Sequence, residues 1–209
     1  MSPVGKRVLR RRGGALILPA MNRMKYFIPL LACVATLVAQ AAETTAFQLA
    51  KDGNDYVGKE ARDRIVQIRS EKSVGSLTPN IWYVVYYDPD ATAKATEVKF
   101  GAGKKMSVKR PGRLLEFVSG NHELDHTKLK IDSDAALATA IKEPLLEKLK
   151  LEASQMWLEQ NKDYGLVWKV RLWAAKLRKP SDTADIGNVF VSAEDGKVVR
   201  ADLHINKVD

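Results

Sequence analysis

From residue 57 onward the chain alternates between two hydrophobic periods, and it does so twice. Val57, Ala61, Ile65 and Ile68 recur every three or four residues, with Lys59, Glu60, Arg62, Asp63, Arg64 and Arg69 between them. That spacing predicts an amphipathic helix that opens at the Asp52–Asp55 turn and ends between Ser70 and Gly75. The β-branched and aromatic run Ile81–Tyr87 predicts a strand closed by Asp88-Pro89-Asp90. Glu97–Phe100 and Lys105–Arg110 predict a hairpin turning through Gly101–Lys104; Pro111-Gly112 closes the segment, and Leu114–Val118 reads as one more strand.

The second half repeats this order. Ile131-Asp132-Ser133-Asp134 offers a helix cap, after which Leu137, Ile141, Leu145, Leu149, Ala153 and Met156 form a helical stripe that Pro144 should kink. Leu166–Trp173 alternates, with Trp168, Val170 and Leu172 on one face and Lys169 and Arg171 on the other. Polar residues 179–188 lead into Val189–Ala193, then the Glu194–Lys197 turn, then a strand from Val199 to Ile205. Ile81-Trp82-Tyr83-Val84 lies over Val167-Trp168-Lys169-Val170, an internal similarity that is degenerate. The expectation is an α+β protein of two helix-plus-antiparallel-sheet units, 42–118 and 131–209, joined by a connector at 119–130 and able to pack face to face.

The start of the chain differs from the rest. Lys6, Arg7, Arg10, Arg11, Arg12, Arg23 and Lys25 bring charge with no acid, and an apolar run of about fourteen residues follows from Tyr26 to Ala39. This is the layout of a secretory signal, with Ala39-Gln40-Ala41 as the cleavage site and the cut after Ala41. The run is shorter than the roughly twenty residues a spanning helix needs, so no stable membrane span is expected after cleavage and the mature protein is expected in the periplasm or outside the cell. Met21 and Met24 are alternative translation starts. Cys33 after Leu30-Leu31-Ala32 resembles a lipobox, but the chain stays apolar after it.

Cleavage changes the charge balance. Seven of 34 basic and none of 25 acidic residues leave with the signal, so the mature chain carries 27 against 25, a net +2. The strongly basic whole-chain balance therefore does not point to nucleic acid, whose binders carry their basic excess on the folded domain. The mature part also lacks cysteine, which excludes disulfides and thiolate metal sites.

Residues 130–206 resemble the PepSY family through Ile131–Leu137, Trp168-Lys169-Val170 and the Val189–Val199 hairpin with its Asp195-Gly196-Lys197 turn. Residues 42–118 match only through Trp82 and the hairpin after it, with Gly103-Lys104-Lys105 in place of Asp-Gly-Lys. The resemblance implies a helix packed on an antiparallel sheet, as in cystatin-like folds. It also implies a non-enzymatic, exported binding role, such as restraining a peptidase or another envelope protein. No catalytic or cofactor residue carries over from it.

One motif points elsewhere. His122-Glu123-Leu124-Asp125-His126 fits H-E-x-x-H, in which a helix presents two imidazoles to zinc while the glutamate activates water. Glu143, Glu147 and Glu152 are the available third ligands, though they equally form a solvated face balancing Lys142, Lys148 and Lys150. The flanking Ser119-Gly120-Asn121 and Thr127-Lys128 are poor helix material. A zinc metallopeptidase is thus the alternative to a cofactor-free binding module with no catalytic residues. For the module, a partner surface is expected on the first strand, where Tyr83, Val85 and Tyr87 lie opposite Trp82, Val84 and Tyr86 and both faces are apolar. The second unit is the expected cover for the spare face.

Overall fold

The structure is a computed structural model and describes residues 44–111 and 123–209. The expected signal segment, the expected strand at 114–118 and His122 lie outside the described residues. The described residues belong to one compact unit.

Two short helices, α1 (Ala46–Gly53) and α2 (Ser133–Ala140), precede two runs of four strands. The first run is β1 (Ile65–Ser70), β2 (Ile81–Tyr87), β3 (Ala95–Gly101) and β4 (Lys104–Lys109). The second is β5 (Leu151–Asn161), β6 (Gly165–Ala175), β7 (Thr183–Ser192) and β8 (Val198–Leu203). All eight join in one antiparallel sheet of order β4-β3-β2-β1-β5-β6-β7-β8. The expected pair of α+β units is therefore corrected: the fold is predominantly β, with one sheet and one main core, and the halves lie side by side rather than face to face.

The segment 179–188, expected as a loop, supplies Thr183–Asn188 of β7, and both predicted helices departed from expectation, each for an identifiable physical reason. Past the end of α1, the residues expected as a helix from the Asp52–Asp55 turn onward form two 3₁₀ turns, Asn54–Tyr56 and Lys59–Ala61, and then β1. A β-bulge between Ile65 and Gln67 puts the core residues Ile65 and Ile68 three apart, which imitates helical spacing. The real helix lies upstream, where Thr45 caps Gln48 N–H. In the second half, α2 ends at Ala140, and the downstream part of the predicted stripe is β5. Ala153 and Met156, three apart on that strand, face opposite sides of the sheet. Residues 151–158 are largely helix formers, but β5 lies between β1 and β6, and pairing on both edges overrides propensity.

The predicted cap at Asp132-Ser133 serves both helices. Asp132 accepts from Ser133 N–H and from Phe47 N–H (3.1 Å), while Ser133 Oγ accepts from Ala46 N–H (3.0 Å). The first two amides of α1, which have no intrahelical acceptor, are thus capped from α2.

Beneath the helices, Trp82 and Trp168 meet edge to face at 6.3 Å although β1 and β5 lie between their strands. Each indole donates to a backbone carbonyl, Pro79 and Ile131 respectively. The two halves join at β1–β5, where only Ile68↔Leu158 and Arg69↔Trp157 are in register. Buried serines extend this seam: Ser70 Oγ accepts from Met156 N–H (2.9 Å), and Ser73 Oγ from Ser154 N–H (2.9 Å).

Candidate functional site

Because side chains alternate along a strand, a sheet with helices on one face leaves its other face to be explained. Ile68, Trp82, Val84, Tyr86, Met156, Leu158, Trp168, Val170 and Leu172 all point into the core. Their neighbours in sequence point the other way, onto a face that neither helix covers. Tyr83, Val85 and Tyr87 lie there, as anticipated. The expected cover is absent, because the second half extends the sheet sideways. Val85 is instead shielded locally by Val66, Ala95 and Tyr87.

On this open face a single register row crosses seven neighbouring strands. It runs Lys99, Tyr83, Arg69, Trp157, Lys169, Phe190, Arg200, each directly opposite the next. Cation and aromatic alternate without a break. At about 4.8 Å per strand the row is roughly 29 Å long. The cations lie over the rings: Arg69 is 4.0 Å and Lys99 5.0 Å from the Tyr83 centroid, Lys169 is 5.6 Å from Trp157, and Arg200 is 5.8 Å from Phe190. Just outside it, Arg64 stacks on Tyr87 (4.3 Å), and Lys72 and Arg171 flank Trp173 (4.6 and 5.2 Å). Such contacts fix rings and long side chains in place at about 0.5–1 kcal/mol each where exposed.

The alternation continues across the β1–β5 seam because matching strands carry opposite types. Where β1, β2 and β3 present Arg69, Tyr83 and Lys99, β5, β6 and β7 present Trp157, Lys169 and Phe190. The overlay of Tyr83 on Lys169 already held one of these exchanges.

Most of the row's charge is matched locally. Arg69 pairs with Glu97 (2.5 Å), Lys99 with Glu71 (2.9 Å) and Arg200 with Asp202 (2.7 Å). Hydrogen bonds from the Tyr83 hydroxyl and from Lys99 hold the Glu71 carboxyl below its ordinary value, and Lys99 is raised in turn by Tyr83 and Glu71. Lys169 has no ion-pair partner among the described residues.

The zinc motif is placed differently from the helix it requires. Glu123–Asp125 is not helical, and only His126–Lys128 forms a 3₁₀ turn. Leu124 N–H donates to Ile65 O (2.8 Å), and its side chain is buried. The Glu123 carboxylate accepts from Arg64 at 2.5 and 2.9 Å, which ties this segment to the start of β1. Glu143, Glu147 and Glu152 lie on the α2–β5 connection and the start of β5, and no cluster of metal-ligating residues occurs among the described residues. Buried Asp88 has a structural role, accepting from Thr96 Oγ1 (2.5 Å) and Asp90 N–H (3.0 Å) at the β2–β3 turn.

No family model, curated protein or solved structure matches the chain. The likeness to PepSY domains therefore rests on its short motifs alone. Among the described residues, no helix is long and apolar enough to cross a membrane.

Sequence reasoning missed the row because it examined one strand at a time. Arg69 was assigned to the solvent side of a helix and Trp157 lay just past a helical stripe. Only cross-strand register brings them together.

Proposed function

We propose that the mature protein is an exported, non-enzymatic binding module that docks a protein partner on the open face of its sheet. The observation that carries this reading is the seven-residue cation–aromatic row. Tyrosine, tryptophan and arginine are the residue types that concentrate interface energy, the rings because they bury large area at low entropic cost and arginine because its planar guanidinium stacks and hydrogen-bonds at once. Here their rotamers are held by stacking before any partner arrives, which lowers the ordering cost of association. The row is long enough to underlie an ordinary interface of about 800 Å² per partner. Restraint of a peptidase or another envelope protein, as the PepSY resemblance implies, is the physiological role proposed for this face.

Single-stranded nucleic acid also uses aromatics and cations, but it needs uncompensated charge and rings free to stack on bases. In this row Glu71, Glu97 and Asp202 neutralise three of four cations, and the rings are capped by the protein's own side chains.

Site-specific photo-cross-linking in the native host tests the reading. A cross-linker at Ser107 or Glu159, both beside the row, should capture the same protein. One at Ala138, on the exposed side of α2, should not. Trp157→Ala should weaken binding of the captured partner by about 2 kcal/mol, roughly 30-fold in Kd. Equal capture from Ala138, or capture indifferent to Trp157→Ala, refutes the proposal.

A further inference from the structure

Toward its β8 end the open face deepens into a basin of about 690 Å³ between β5 and β8. We infer that this basin is the anchor point for an acidic loop of the partner, seating a carboxylate side chain against Lys169 while a backbone N–H of the same loop reaches Asn188. The inference rests on the docking role of the face proposed above and names the chemistry of its occupant.

Charge is the first argument. The basin wall holds Lys169, Arg171, Arg200 and Lys207 against Asp185 and Asp202, a net +2. Arg171 is paired with Asp185, and Arg200 with Asp202. Lys169 and Lys207 make no ion pair among the described residues. Burial pushes the Asp185 carboxyl up, but Arg171, the Gly187 N–H and the field of Lys207 outweigh it and hold the group ionised below its ordinary range. Both acids are thus already committed, and the surplus charge is cationic. Lys169 lies over the Trp157 ring at 5.6 Å, and both residues line the basin.

The second argument is an orphan acceptor. Asn188 sits in the same basin, directly across from Arg171 on one side and Asp202 on the other. Its Oδ1 is buried and has no hydrogen-bond partner. A buried acceptor left alone carries an uncompensated desolvation cost, so an occupant that brings a donor recovers it. A phosphodiester group brings only acceptor oxygens there and would face Asn188 Oδ1 without a donor. A peptide loop brings both partners left unmatched there, a carboxylate for Lys169 and an N–H for Asn188 Oδ1.

The test uses the protein expressed from the full gene and a phage-displayed library of random twelve-residue peptides as probe. The expected result is enrichment of peptides with a central Asp or Glu. Their affinity should fall at least tenfold on Lys169→Ala and by a similar factor on replacing that acid with its amide. Lys169→Glu should restore binding to peptides in which the acid is changed to Lys, which loss of folding could not do. Peptides that lack acids yet depend on Trp157 would overturn the carboxylate anchor and leave the docking face standing. If no recovered peptide depends on Trp157 or Tyr83, or none is recovered, both the anchor and the docking role fall. Tighter binding of a fifteen-residue oligothymidylate than of any peptide would likewise overturn both.

Discussion

The floor of the basin contains a glycine whose replacement isolates how tightly β8 is held. Gly187 has φ +106°, and a Cβ built on it would stand 2.0 Å from the Asp202 carbonyl oxygen, about 1.4 Å inside the 3.4 Å at which ordinary contact begins. Gly165, at the start of β6, is the matched control, with φ +75° but nothing within 4 Å of its Cβ position. Gly165→Ala should therefore cost only the left-handed backbone penalty, about 1–2 kcal/mol. Gly187→Ala incurs at least that penalty and must also displace backbone, because Asp202 is in the adjacent strand and cannot rotate away. Pushing β8 outward breaks the pairing at Gly187↔Leu203 and Asn188↔Asp202, at about 1 kcal/mol per hydrogen bond lost. The expected total is about 3–4 kcal/mol, or roughly 6–16 °C in Tm against roughly 2–8 °C for Gly165→Ala. Urea unfolding followed by circular dichroism gives the two free energies, thermal unfolding gives the two Tm shifts, and amide spectra report whether the change is confined to β7–β8. If Gly187→Ala is no more damaging than Gly165→Ala, the close approach of β8, and with it the shape of the basin, is wrong.

Two further outcomes follow from the seam and from the β7–β8 turn. Ser70→Ala leaves the buried Met156 N–H without its acceptor at the β1–β5 junction and should cost about 1–3 kcal/mol, whereas Ser76→Ala, in the exposed loop, should fall within about 0.5 kcal/mol of wild type in the same urea assay. Asp195 is held at about 2, below its usual 3.8, first by the Lys197 ammonium and then by Ser192 and the Lys197 N–H. A depressed carboxyl stabilises the fold fully above its unfolded value, and the contribution disappears as pH falls from about 4 to 2. Carbon-detected titration should show that midpoint, and Lys197→Ala should raise it; an Asp195 midpoint near 4 in the wild type contradicts the turn geometry.

Some of the architecture was legible along the chain. The strands around Trp82 and Trp168, both hairpins and the helix cap at Asp132 were readable because each depends on neighbours in sequence: alternation, turn residues, a side-chain oxygen ahead of a helix. The repeated order of elements was visible for the same reason. Ile65 and Ile68 were not readable as a strand, since a bulge produced the three-residue spacing that a helix also produces. Ala153 and Met156 suffered the same ambiguity, and there the intrinsic preference itself favoured the wrong element.

What the tertiary structure decided was pairing. Whether two four-stranded runs face each other or fuse edge to edge depends on β1 meeting β5, a contact of two register pairs and a few serine hydroxyls between residues over eighty apart. No local pattern encodes that meeting, yet it places Arg69 beside Trp157 and completes the row. Short-range periodicity determined which side chains could leave the core; the register of distant strands determined which of them stand together, because a sheet's neighbours are chosen by hydrogen bonding across space and not by order along the chain.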